Sequence, residues 1–198
     1  MTVRVAIDFG CAASYLAIAP TRALQARLEV AFDWLPFPRV TTSRPRVAVP
    51  GGDRSARHFR MRSEYRANDL RRYAQSRGLD LGDADRSVDT ATASLGLLWQ
   101  RRFVPSDAGE YVARVFDRIW RENADPGLVF VEECLGASAA GFREYVKDEG
   151  PREAEAIREQ LASEGVWNVP AYLVGGELFI GRQHLPAVEF SLRGMGSR

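Results

Sequence analysis

The chain has 198 residues, of which 45% are hydrophobic, and its 27 Lys and Arg balance 26 Asp and Glu. That length is ample for one packed domain, and the near-zero net charge points away from nucleic acid or an anionic membrane surface as the main partner. No stretch approaches the roughly 18 uninterrupted apolar residues of a membrane span, no secretory leader pattern opens the chain, and two cysteines do not make a disulfide framework, so a soluble cytoplasmic protein with reduced thiols is expected.

Val3 to Phe9, "VRVAIDF", reads as a strand buried on at least one face. Gly10 breaks it, and "SYLAIAPTRALQARL" follows with Tyr15, Leu16, Ala19, Ala23 and Leu24 on helical spacing. Pro20 lies inside that pattern and predicts a kink or bend. "LEVAFDWLPF" is a second strand, and the helix is long enough to cross over between parallel strands. The stretch "PRVTTSRPRVAVPGGD" carries several prolines and a Gly-Gly pair and reads as a long loop. The Arg-rich "RSARHFRMR" that follows is expected to be a solvated face.

From about Phe59 to Gly165 the pattern is almost wholly helical. Leu70, Tyr73 and Ala74 share one face, with Gly78 as a C-cap; Asp89 and Ser106 are placed to cap the next two helices. Tyr111, Val112, Val115, Phe116, Ile119 and Trp120 form an apolar stripe, and "SAAGFREYVKD" supplies a short helix. Pro151 sits where a first helical turn accepts proline, and Gly165 ends that run. The period then changes: Ala171 to Val174 and Glu177 to Ile180 are two strands joined by the Gly175-Gly176 turn, and "QHLPAVEFSL" begins a closing helix.

The order is β-α-β, a helical block, then α-β-β-α. That is the layout of an α/β thioredoxin-like fold with an all-helical insertion: one domain over 1–198, with halves at 1–40 and 151–198 and the insertion at about 59–150. Three local features fall where such a fold would use them. Cys11 follows the first strand at the start of the first helix, where partial positive charge and unsatisfied N–H groups stabilise a thiolate. Val169-Pro170 directly precedes the third strand, a position suited to a cis peptide bond. The "VGGELFIG" hairpin follows at once.

These residues carry a definite resemblance. "VRVAIDFGCAASYLA" resembles the "DFxSPxSYLA" opening of the 2-hydroxychromene-2-carboxylate isomerases and kappa-class glutathione transferases, in the DsbA-like branch of thioredoxin folds. "EYRANDLRRYAQSRGLDL" and "GVWNVPAYLVGGELFIGRQHL" are similar to the segments those proteins carry after the long loop and around the cis-proline, the latter reading "GVxGVPTFVVxGExFWGQDRL". The resemblance implies glutathione as cofactor, with its thiol bonded at the position of Cys11 and its peptide paired with the backbone of Val169. The bound thiolate would act as a transient nucleophile on a small electrophilic or aromatic substrate. Val169, Pro170, Arg182 and Gln183 would then lie on the glutathione side, and Trp99, Trp120 and His184 on the substrate side. Dimers are common in that family, so a homodimer is expected.

The departures define the alternative. Cys11 stands where the family has serine, and Ala12 where it has proline; the loop "SRPRVAVPGG" lacks the family's asparagine. Gln183 replaces an aspartate and His184 an arginine, with loss of the charge assistance that roughly doubles a hydrogen bond. The tetrad "CAAS", Cys11 to Ser14, is also a C-x-x-S form of a redox motif with no resolving thiol, which points to a monothiol thiol–disulfide oxidoreductase with Cys11 as nucleophile. Ser14 is a second candidate for the catalytic pair or a helix-start hydrogen-bonder. Cys134, after two glutamates, reads as an inert, partly buried thiol, and His58 and His184 lack the company a metal site needs.

Overall fold

The computed structural model describes residues 2–38, 54–82 and 86–196; the long loop 39–53 lies outside the described residues. β1 (Thr2–Ile7) and β2 (Ala31–Pro36) pair in parallel, Thr2 with Ala31 through Ile7 with Pro36. Parallel neighbours need a crossover, and α1 (Ala12–Leu28) supplies it. Pro20, expected to kink this helix, lies within one continuous span. Its neighbour Thr21 is anchored by a buried hydroxyl pair with Tyr172 at 2.8 Å, and Leu16, Ala17 and Leu24 are buried around it. Packing on both sides of the proline therefore outweighs the one backbone bond it removes.

Seven more α-helices follow among the described residues. They are α2 (Arg54–Ser76), α3 (Ala91–Phe103), α4 (Ala108–Trp120), α5 (Leu128–Leu135), α6 (Phe142–Lys147), α7 (Glu149–Ser163) and, after the second strand pair, α8 (Leu185–Gly196). α2 ends as the sequence suggests: Gly78 takes φ +66° and Leu79 N–H returns to the Ala74 carbonyl at 2.9 Å. The residues of α2 from Arg60 to Arg66 are exposed. Ser106 is not the cap of α4. Pro105 starts a 3-10 turn over Pro105–Asp107, Asp107 precedes the helix, and the Ser106 hydroxyl is spent on Asp107 Oδ1 at 2.9 Å. Asp89 does meet α3, accepting from Ala91 N–H at 3.0 Å, with Thr90 between them.

β3 (Ala171–Val174) and β4 (Glu177–Ile180) complete a four-stranded sheet of order β2-β1-β3-β4. β3 runs antiparallel to both neighbours, Val5 facing Tyr172 and Tyr172 facing Phe179. The hairpin works because Gly175 and Gly176 take φ +57° and +88°, which side-chain-bearing residues rarely adopt.

Two apolar clusters share this frame. The larger joins α1 to the intervening helices through Phe9, Tyr15, Tyr111, Phe116, Ile119 and Trp120. The smaller lies under the other face and contains Cys11, Leu35, Leu161, Val169 and Ala171. Arg101, at the end of α3, forks onto the Asp33 carboxylate of β2 at 2.7 and 2.9 Å and locks the intervening helices to the sheet.

Arg4 on β1 similarly forks onto Glu164, at the end of α7. These bonds hold the Glu164 carboxyl below its ordinary range. A folded value below the unfolded one of about 4.3 means the pair stabilises fully above that pH and loses its contribution as pH falls through the folded value. Glu164→Gln is expected to cost at most about 1 kcal/mol at neutral pH, since both groups are partly solvated, and nothing in strong acid. Urea unfolding of both proteins at the two pH values measures this.

Candidate active site

β1 delivers the chain into the turn Asp8-Phe9-Gly10-Cys11, and most backbone polar groups of that turn are engaged. Asp8 N–H donates to Ser14 Oγ at 3.3 Å, and the Asp8 carbonyl accepts from Cys11 N–H at 3.0 Å. The Asp8 carboxylate accepts from Gly10 N–H at 2.8 Å and from the Thr90 hydroxyl at 3.4 Å. The Phe9 carbonyl accepts from the Trp120 indole at 3.0 Å, and Cys11 C=O accepts the first bond of α1, from Tyr15 N–H at 3.0 Å. Buried backbone groups must be paired, and this pairing leaves the turn a single geometry.

Cys11 is the residue before α1, with extended backbone (φ −107°, ψ 112°) and no side-chain bond to its own helix. Cys11 is 4% exposed, and its thiol donates instead to the Val169 carbonyl, at 3.9 Å. The Val169-Pro170 bond is cis. The first turn of α1 contains no acidic residue, so the N–H groups beside the sulfur meet no competing carboxylate of their own helix. Cys134 is remote in role: buried on α5, its thiol is held above the ordinary range chiefly by burial, and Arg118 donates to it at 3.5 Å. Both cysteines are free.

The turn after β4 is tied to the same junction, because Gly181 N–H donates to the Pro170 carbonyl at 2.7 Å. Arg182 leaves that turn inward, its guanidinium 3.6 Å from the centre of the Tyr73 ring and 3.7 Å from Asp69, so it clasps α2. Gln183 folds back to donate to the Ile180 carbonyl at 3.2 Å, and His184 is exposed.

The structure therefore brings together Cys11, Val169 and Pro170, with the 182–184 turn beside them. Ser14 is fully buried, and its hydroxyl is the acceptor that closes the strand-to-helix junction. The two tryptophans assigned to a substrate face lie in the core. Trp99 packs on Phe103, Phe142 and Tyr145 and donates to the Ser138 carbonyl at 2.6 Å. Trp120 is stacked on Tyr15, with the Arg86 guanidinium 4.6 Å from the centre of its ring. A groove of about 330 Å³ between α1 and α8, and one of about 290 Å³ along His58, Met61 and Tyr65 of α2, are both formed without Cys11, Val169 or Pro170.

Two residues just before Val169 carry no signal in the motifs above. Trp167, in the short link from α7 to the cis-proline, is 74% exposed, whereas Trp34, Trp99 and Trp120 are buried. Asn168 turns its side-chain oxygen onto Val169 N–H at 3.0 Å. Trp167 had one signal available: it is a large aromatic in an irregular link, on no apolar stripe.

A four-stranded mixed sheet, a helix that starts at a cysteine, and a cis-proline whose preceding carbonyl meets that cysteine define a thioredoxin-type protein with one thiol at its centre. The chain belongs to the DSBA-like thioredoxin domain family, whose model matches residues 2–193. A 2-hydroxychromene-2-carboxylate isomerase of Pseudomonas putida is 24% identical over 158 residues, covering 77% of this chain and 76% of the relative. Among solved structures, a 2-hydroxychromene-2-carboxylate isomerase superposes with TM-score 0.74 at 22% identity, covering 98% of this chain and 96% of the other. The cytosolic disulfide reductase DsbM from Pseudomonas aeruginosa, solved with GSH, superposes with TM-score 0.64 at 16% identity, over 100% of this chain and 98% of the other.

Proposed function

We propose that this protein is a glutathione-dependent enzyme of the isomerase or transferase type, working on a small conjugated or aromatic electrophile. The observation that carries the reading is the Cys11 thiol at the start of α1, 3.9 Å from the carbonyl that precedes the cis-proline. A first turn of α1 that carries no acidic residue fits an anionic sulfur placed against it. Glutathione, when bound, would supply a nucleophilic sulfur able to add to a conjugated double bond and leave again. Cys11 would turn its S–H from Val169 O toward that sulfur and hold its charge. The backbone of Val169 would orient the peptide part, and the turn at Gln183 and His184 would face its polar end. Two free thiols suit a reducing compartment, so the cytoplasm is the proposed location. Calorimetry with glutathione tests the reading: saturable binding at or below millimolar ligand is expected, and none at that concentration overturns it.

Trp167, an exposed indole in the link that leads to Val169, is the aromatic we assign to a flat substrate. Trp167→Ala is expected to raise KM by about two- to ten-fold, the worth of one aromatic contact, with kcat little changed. A fall in kcat alone would show that the indole does not touch substrate in the ground state.

A second reading rests on the sulfur itself. A cysteine at this position can attack a disulfide, giving a mixed disulfide at Cys11 and releasing the other half as thiolate. With Ser14 closing the strand-to-helix junction, resolution would need an external thiol such as glutathione. Incubation with glutathione disulfide should then add one glutathionyl group to Cys11, seen by mass spectrometry.

A further inference from the structure

The backbone of Val169 is occupied by this chain's own side chains. Its N–H is held by Asn168 Oδ1 at 3.0 Å, and its carbonyl by the Cys11 thiol at 3.9 Å. A main-chain N–H partly shielded from water needs a partner, and here the preceding side chain supplies one, in a part-buried bond. Val169 itself is buried, and the link is fixed on both sides, by Val166 N–H to the Leu161 carbonyl at 2.9 Å and by the Gly181 bond to Pro170. The Asn168 amide can thus leave by side-chain rotation while the backbone stays in place.

We infer that Asn168 is a specificity-determining residue, an internal competitor for peptide-like ligands at the thiol. A peptide that docks beside Cys11 through Val169 must offer its carbonyl to the N–H that Asn168 holds, and so must displace the asparagine. The inference rests on the glutathione reading. Asn168 weakens binding of every peptide-like thiol by the strength of the bond it surrenders, and favours ligands able to use the displaced amide. A displaced Asn168 presents both a donor and an acceptor to the ligand's flank.

Removing the competitor should tighten binding. Asn168→Ala is expected to lower the glutathione Kd about five-fold, the equivalent of one net hydrogen bond, and Asn168→Gly should change it in the same direction. A second measurement needs no activity. Hydrogen exchange at the Val169 amide should be faster in Asn168→Ala than in the parent protein, and glutathione should slow it in both. Equal or weaker glutathione affinity in both variants, with the parent binding measurably, overturns the inference and leaves the glutathione reading standing. An unchanged Val169 exchange rate in ligand-free Asn168→Ala overturns it as well. Absence of binding to parent and variants alike overturns both.

Discussion

Cys11→Ala is expected to lower turnover about 100-fold, the usual loss when one preorganised donor to a developing anion is removed, while the fold is retained. Cys11 is 4% exposed and its thiol bond to Val169 is long, so alanine leaves a small void and no orphaned strong donor. The turn that places residue 11 is held by backbone bonds and by Asp8, Thr90 and Trp120, none of which needs the sulfur. Cys11→Ser separates the two functional readings. A hydroxyl in the same place is a better donor than a thiol, so a glutathione-dependent isomerase should keep at least a tenth of its turnover (on the scale of one hydrogen bond). A monothiol oxidoreductase should lose all of it, because serine cannot form the mixed disulfide. Steady-state rates of the three proteins on a conjugated electrophile and on a model disulfide make the distinction, with circular dichroism as the check on folding.

Gly96→Ala is expected to destabilise the protein by about 2–3 kcal/mol, against the ordinary sign of that change in a helix. In an exposed helix interior, alanine would gain about 1 kcal/mol over glycine. At position 96 a Cβ would fall 2.1 Å from the Tyr111 hydroxyl and 2.6 Å from a Val131 methyl. Tyr111 is fully enclosed, and its hydroxyl donates to the Ala93 carbonyl at 2.9 Å. Overpacking typically costs about 1–3 kcal/mol, and displacing the tyrosine forfeits a further bond worth about 0.5–1.5 kcal/mol. The combined penalty exceeds the propensity gain. Urea or thermal unfolding reads the difference directly, and an unchanged midpoint would mean α3 can move away from α4 and α5 freely.

The parts of this fold most legible in sequence are those set by local rules. The β3–β4 hairpin matches residue for residue, because two adjacent glycines at positive φ leave few other turns. Cys11 at the start of α1 and the cis bond at Pro170 could be read from position and motif. Ser106 does not cap α4, because the proline one residue earlier opens a 3-10 turn. The family resemblance puts Trp99 and Trp120 on a substrate side, yet each indole N–H is committed to a distant carbonyl, a pairing that only tertiary structure reveals. Asn168 bonds the very next amide, and no periodicity reports such a contact.

The way the Cys11 turn is secured also limits how this protein could be shortened. Thr90 precedes α3 and Trp120 closes α4, and these two side chains grip Asp8 and Phe9 from a segment some 80 to 110 positions away. A miniature assembled from the two sheet-forming ends alone would strand the Phe9 carbonyl and lose one donor to the Asp8 carboxylate. The intervening helices are therefore a splint for the reactive turn, and any trimmed or swapped version would have to keep residues 90 and 120 in register. The exposed residues of α2 could vary freely without loosening that splint.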